Sequence, residues 1–301
     1  MSALQVDNLL TLIFPLTPFL TTFSVNPSFV LSKRALSSLA QREGSVNICS
    51  LMGLSYLPSQ TSVADNDPFV QLLRNCPNIE ELAVVGQGLD PTEMEFDFSG
   101  IDLPALIAFK LNFIPLSLPK LRFLSLLSMH TSPLMEALLK SPLPSLRKLE
   151  ITPYDDVPYP TALSTEFIIT HGESLRSLLL FTPKSWPTRL RPSPEMLLSY
   201  CPKLNHLSCE TPVPNLRLSE KHELKILSIP RPSADSWQML ESNLPKLPHL
   251  SVLRTRDVKW LRKGVSSVAQ ETGVQGQMNY WKRRLERRNI HLVDADWKIS
   301  E

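Results

Sequence analysis

The sequence predicts an α/β fold of the solenoid type, a curved stack of parallel strands with helices or irregular turns outside. Three observations predict it. A six-residue phrase, apolar-x-x-apolar-x-apolar, recurs along most of the chain. Its copies are spaced like structural repeats rather than like the strands of one sheet domain. Segments with helical periodicity stand before several of the copies.

The clearest copy is LRKLEI (Leu146–Ile151). Read as a strand, Leu149 and Ile151 share one face and Lys148 and Glu150 the other. Leu146 is off the alternation, so it enters the core where the chain turns into the strand. Further copies are IEELAV (Ile79–Val84), LIAFKL (Leu106–Leu111), LRFLSL (Leu121–Leu126), LRSLLL (Leu175–Leu180), LNHLSC (Leu204–Cys209), LKILSI (Leu224–Ile229) and LSVLRT (Leu250–Thr255), with an earlier one at FLTTFSV (Phe19–Val25). The middle apolar residues from Leu82 to Leu253 are separated by 27, 15, 25, 29, 29, 20 and 26 positions. Most gaps fall in or near the window of a leucine-rich repeat, so about eight to ten repeats are expected. Parallel strands need a crossover of a dozen or more residues. The gap of 15 between Phe109 and Leu124 is too short for a full helix, and an extended or single-turn link over Ile114–Pro119 is expected.

The crossover candidates are Pro68–Asn78, Ser132–Ser145, Ser164–Ser174 and Ser193–Lys203. Each begins near Ser, Thr or Pro, as helix starts do. Three end near a proline, Pro77, Pro142 or Pro202, which cannot continue a helix. Phe29–Arg42 reads as a further helix. Val46–Leu54 reads as a strand with Val46, Ile48 and Leu51 as apolar candidates and its register open. Gly86–Ile101, Tyr154–Ala162 and Pro183–Pro194 read as loops on the rim. The repeat fades after Thr255, where Val258–Val268 and Gln277–Arg288 read as helices and Ile290–Val293 as a last strand. No domain boundary is expected: residues 1–260 form the array, and residues 261–301 form a helical cap continuous with it.

The apolar run Leu9–Leu20 follows Asp7 with no Lys or Arg before it, is broken by two prolines and is too short to span a bilayer. It is expected to lie inside the array. No polar capping element precedes it, so the array is expected to be the latter part of a longer architecture. Net charge is +2, and 27 prolines stand against 9 glycines. That balance suits short stiff connections and disfavours glycine-built phosphate loops. Neither a P-loop, a nucleophile elbow nor a complete dinucleotide fingerprint occurs, and GQG at Gly86–Gly88 reads as a turn. No enzyme, cofactor or metal is expected.

Cys76 and Cys201 occupy equivalent places, RNCPNIEEL and SYCPKLNHL, as buried thiols at a helix-to-strand corner. Free thiols and the absence of an N-x-Ser/Thr sequon favour a reducing, cytoplasmic or nuclear location. Cys201, His206 and Cys209 imitate a metal triplet, but strand parity sends His206 and Cys209 to opposite faces. Asp155–Asp156 lacks a partner base. The run WKRRLERR (Trp281–Arg288) is the densest charge cluster. Its simplest reading is an amphipathic cap with Trp281, Leu285 and Met278 inward and a solvated basic face of Arg283, Arg284, Arg287 and Arg288. A nucleic-acid-associated protein using that helix is the alternative.

Strand parity also assigns the outward positions, and strand faces are the usual contact zones of such stacks. Phe123, Leu127, Leu179 and Phe181 form two apolar-aromatic spots flanking the charged strand of Lys148 and Glu150. His206 and Arg254 lie on the same face. These eight residues are the expected partner-binding set, for a protein partner and not a membrane.

The phrases with a preceding Cys-Pro, NCPNIEELAV and YCPKLNHLSC, resemble the leucine-rich repeats of F-box proteins, and the irregular spacing is similar to that of the divergent fungal members. The resemblance covers about Phe19 to Thr255. It implies a substrate-receptor role in a ubiquitin ligase, with an F-box holding the Skp–cullin core. No L-P-x-E-type F-box stretch stands near the start, so a Skp-type adaptor is expected only if an F-box lies upstream.

Overall fold

The computed structural model describes residues 2–26, 29–57, 67–86, 114–129, 132–152, 163–181, 196–209, 216–261 and 273–299. The chain forms two compact units, residues 1–170 with 182–191 and residues 171–181 with 192–301. Among the described residues each contains five parallel strands.

In the first unit the strands are β1 (Thr22–Ser24), β2 (Ser50–Tyr56), β3 (Glu81–Gly86), β4 (Phe123–Leu127) and β5 (Lys148–Ile151). They pair in chain order, and one register runs through them: Phe23 is opposite Leu51, Leu51 opposite Leu82, Leu82 opposite Leu124 and Leu124 opposite Leu149. In the second unit β6 (Ser177–Leu180), β7 (His206–Ser208), β8 (Ile226–Ile229), β9 (Val252–Thr255) and β10 (His291–Val293) do the same, through Leu178, Leu207, Leu227, Leu253 and Leu292. All these leucines are buried. Each contributes about 1.5–3 kcal/mol by leaving water, and alignment makes the separate contributions one continuous core.

The off-alternation first residue of the phrase is explained by the corner before it. Cys76-Pro-Asn-Ile79, Leu118-Pro-Lys-Leu121, Leu143-Pro-Ser-Leu146, Cys201-Pro-Lys-Leu204 and Leu247-Pro-His-Leu250 each form one turn, closed by the fourth residue's N–H donating to the first residue's carbonyl at 3.0–3.3 Å. Proline fits the second position because its φ is preset and no N–H is needed there. Cys76 and Cys201 have nearly the same backbone, φ/ψ of −123/64 and −121/62. The first and fourth residues of these five turns are buried. One residue beyond the corner the backbone joins the preceding rung. Arg147 N donates to Arg122 O at 2.9 Å, Asn205 N to Arg176 O at 2.8 Å and Ser251 N to Lys225 O at 3.0 Å. The ladder therefore starts before the strands do, and buried backbone groups there find partners.

The helices are α1 (Ala3–Ile13), α2 (Lys33–Gln41), α3 (Pro68–Asn75), α4 (Pro133–Lys140), α5 (Leu163–His171), α6 (Leu197–Tyr200), α7 (Ala234–Asn243) and α8 (Gly273–Glu286). Local capping sets their starts. Ser2 and Gln5 form a capping box on α1, Ser32 accepts Ala35 N on α2, Ser132 accepts Met135 N on α4 and Ser233 accepts Ser236 N on α7. On α3 the cap is Asp67, fully buried, which accepts Phe69 N and Val70 N and receives Tyr56 OH at 2.8 Å. Burial, with Asp67 alongside, raises the Tyr56 phenol well above its ordinary range. Among the described residues no helix is long and apolar enough to cross a membrane.

Several elements differ from the sequence expectation. The helix expected from Phe29 starts at Lys33, because Ser32 caps it. The strand expected over Val46–Leu54 starts at Ser50, and Val46 is exposed in the 3-10 turn Ser45–Asn47. Gly44 sets that turn: its φ is +76°, and a β-carbon there would clash with Pro18 O. The helix expected over Ser193–Lys203 is the single turn α6, and α8 runs from Gly273 rather than Gln277 and ends at Glu286. LIAFKL, with most of the Gly86–Ile101 loop and both proline-rich loops, lies outside the described residues. β3 pairs directly with β4, with Leu82 opposite Leu124. Val258–Leu261 is irregular, and residues 262–268 lie outside the described residues.

Candidate functional site

The outward residues of the first unit's strands form short rows set by the register. One row runs Ser50, Glu81, Phe123, Lys148. Ser50 Oγ donates to Glu81 Oε2 at 3.0 Å. Lys148 Nζ lies 4.6 Å from the Phe123 ring centre and 2.9 Å from Glu150 Oε1. The ammonium is thereby held between a carboxylate and a ring face, an arrangement contributing at most about 1 kcal/mol at a partly exposed position. The next row is Ala83, Ser125, Glu150, with Ser125 buried as its floor. Phe123 and Leu127 flank Ser125 on β4, each half-buried. Four expected residues, Phe123, Leu127, Lys148 and Glu150, thus share one patch.

The second unit's face is built differently. His206 spans three strands, its Nδ1 3.3 Å from Ser177 Oγ and its Nε2 3.0 Å from Ser228 Oγ. The neighbouring row is Leu179, Ser208, Ser228, Arg254. Ser208 and Ser228 are buried as the floor of this row. Phe181 follows β6 and is 44% exposed. Leu179, His206 and Arg254 therefore share this face, with Phe181 at the end of its first strand.

Above the face lies the chain's own end, which sequence reasoning missed. After β10 the buried Asp294 organises a turn: its Oδ1 accepts Asp296 N at 2.8 Å and Lys298 N at 2.9 Å, and its Oδ2 accepts Trp260 N at 3.1 Å. Trp297 takes a left-handed backbone, φ +64°. Its ring lies 4.4 Å from the Arg254 guanidinium carbon and meets the His206 ring edge-on at 6.3 Å. Arg254 Nη2 donates to Ala295 O at 2.7 Å. Burial lowers the Arg254 pKa, with Arg256 adding to the effect and Asp294 and Asp296 opposing it. The signal in the sequence was Asp-Ala-Asp-Trp: an acid whose carboxylate can take N–H groups two and four residues on.

Other candidates resolve into structure. Cys76 and Cys201 are free and buried at their corners, and burial pushes both thiols up to about 12. Cys209 is buried on the inward side while His206 faces outward, so that triplet does not converge. Among the described residues no cluster of three His, Cys, Asp or Glu side chains could hold a metal. Asp155 and Asp156 lie outside the described residues. On α8, Met278, Trp281 and Leu285 are buried, and the Trp281 ring lies 4.9 Å from that of Trp237 on α7. Arg284 pairs with Glu241 at 2.8 Å and stacks on Trp237 and Tyr280. Arg283, Arg287 and Arg288 are exposed.

A scan against protein-family models gives no match to the chain. A search of curated proteins gives no match either.

Proposed function

We propose that this chain is a non-enzymatic protein-recognition module of the leucine-rich-repeat type, which binds a protein partner on its outward strand face. The observation carrying this reading is the patch of Phe123, Leu127, Lys148 and Glu150, where a half-buried aromatic ring sits among paired charges on a rigid parallel sheet. Aromatic residues so placed are the usual energetic centres of protein interfaces. Parallel leucines in one register, crossovers of repeat length and proline corners support the repeat type. Within this reading, the resemblance to F-box proteins makes the chain the substrate-receptor part of a ubiquitin ligase subunit.

The test is affinity capture with the wild-type chain, Phe123→Asp and Phe181→Asp, each checked for native circular dichroism. A protein retained by the wild type and lost with the folded variants supports the reading. Undiminished capture by both variants overturns the assigned face. A Skp-type adaptor among the proteins retained by a form carrying an upstream F-box supports the ligase role, and its absence from captures by such a form removes that role.

The exposed Arg283, Arg287 and Arg288 at the end of α8 favour the alternative, a nucleic-acid-associated protein. That reading requires duplex binding with a steep salt slope. Pairing of Arg284 with Glu241 takes one of the four arginines out of it.

A further inference from the structure

The chain end carried over β7–β9 has the features of a ligand held in place by its own tether. Its ring rests on Arg254 and against His206, its Ala295 carbonyl takes a guanidinium hydrogen bond, and its Asp296 carboxylate pairs with Lys259 beside the face at 2.9 Å. The hold on the ring is shallow. Trp297 remains 48% exposed, and its backbone sits in the left-handed region that a bulky residue adopts only at a cost. Beyond Val293 the backbone is tied by an antiparallel bridge from Val293 to Ile299, by Ala295 N donating to Val258 O at 2.9 Å and by Trp260 Nε1 donating to Lys298 O at 3.0 Å, so it is the ring that is the loosest part of the segment. The floor beneath is polar and incompletely used: Ser208 Oγ, 1% exposed in the same row as Arg254, has no hydrogen-bond partner among the described residues, and neither does Arg254 Nε. Asp294 is not part of the detachable piece, because it also anchors Trp260.

We propose that the β7–β9 face is a docking site for a short partner segment with an acidic residue next to an aromatic one, and that residues 295–299 occupy it in the free protein. A partner then binds by displacing the tail. Its ring takes the place of Trp297 on Arg254, its backbone carbonyl that of Ala295, and its carboxylate that of Asp296. This rests on the reading of the strand face as the recognition surface and names the chemistry that half of it accepts. A tethered tail competes at a high effective concentration, so the free protein holds most of its sites closed.

The test uses the 301-residue chain and a fluorescein-labelled peptide of sequence Asp-Ala-Asp-Trp-Lys-Ile, read by anisotropy. Trp297→Gly vacates the site and suits the backbone, since glycine is at ease at φ +64°. The peptide should bind Trp297→Gly at least about tenfold more tightly than the wild type, as expected when an occupant is removed. Arg254→Ala added to Trp297→Gly, or Ala in place of Trp in the peptide, should abolish binding. Native circular dichroism of each variant excludes unfolding as the cause of a loss. In the wild type, saturating peptide should speed amide exchange across residues 295–299. Absence of binding to Trp297→Gly, equal binding to both chains, or binding indifferent to Arg254→Ala overturns the proposal. Loss of partner capture in Phe123→Asp is an independent readout, so failure here leaves the first unit's patch standing or falling separately.

Discussion

At β1, Thr22 and Ser24 are exposed, and among the described residues the strand pairs with β2 alone. Nearby, α1 and the turn after it turn Leu9, Leu12, Leu16 and Phe19 to solvent, with Phe19 87% exposed. At β10, Leu292 and Val293 are buried, α8 places Met278, Trp281 and Leu285 inward, and Ile299 bridges back to Val293 in the antiparallel sense. The two rungs share one role in the ladder and differ in how they stop. Burial of an end rung does not follow from the repeat itself. It needs an added element of different period, here a helix and a reversed segment. Beside β1, α1 and its turn place Phe14 against Phe23 yet leave four apolar side chains facing water.

The largest expected contrast is between helices. Trp281→Ala in α8 should cost about 3–5 kcal/mol in urea unfolding, as a buried aromatic truncation does. Leu12→Ser in α1 should change stability by no more than about 0.5 kcal/mol, the range for exposed positions. Equal effects would show that the two ends are packed alike. Next is Asp294→Ala, which removes an acceptor of three backbone N–H groups and should cost about 1.5–3 kcal/mol. It should also raise amide exchange at Trp260 and Lys298, while α1 is unaffected.

The smallest effect concerns the corner thiols. Cys76 and Cys201 have folded pKa values raised to about 12 from 9.0. Their contribution to stability is complete below the unfolded value and is lost as pH rises from there towards the folded one, because the unfolded chain ionises first. The urea midpoint should therefore fall between pH 9 and pH 11, and less so in Cys76→Ala combined with Cys201→Ala. Under native conditions at pH 8 a thiol reagent should modify Cys49 well before Cys76, Cys201 or Cys209, since only Cys49 is partly exposed.

Much of this was legible in the sequence because the signal is local. The proline corner, the marker leucine and the next inward residue lie within nine positions in IleGlu-type and Leu-type copies alike, so CPNIEEL and LPSLRKL could be aligned by eye. Paired cysteines at matching corners followed from the same alignment. The start of β2 was misplaced because Gly44 and the Thr17–Leu20 corner settle it through contacts nearly thirty residues apart. The rung expected at Leu106–Leu111 lies outside the described residues, and apolar spacing states what could pair, not which strands meet: β3 meets β4 directly. Trp297 was invisible for a related reason. Its position depends on Arg254, His206 and Asp294, and no period in the chain ties those residues together.

Close approach of neighbouring rungs has a last consequence. A β-carbon at Gly86 would collide with the carbonyl oxygen of Ser128, and one at Gly172 with that of Tyr200. At each of these places two successive windings touch backbone to backbone, with the Cys201 sulfur also pressed against Gly172. Evolution can exchange leucine for isoleucine or cysteine at the core positions with small repacking. At these two glycines it has no such latitude, and the pitch of the ladder is pinned there by the one residue small enough to let adjacent turns meet.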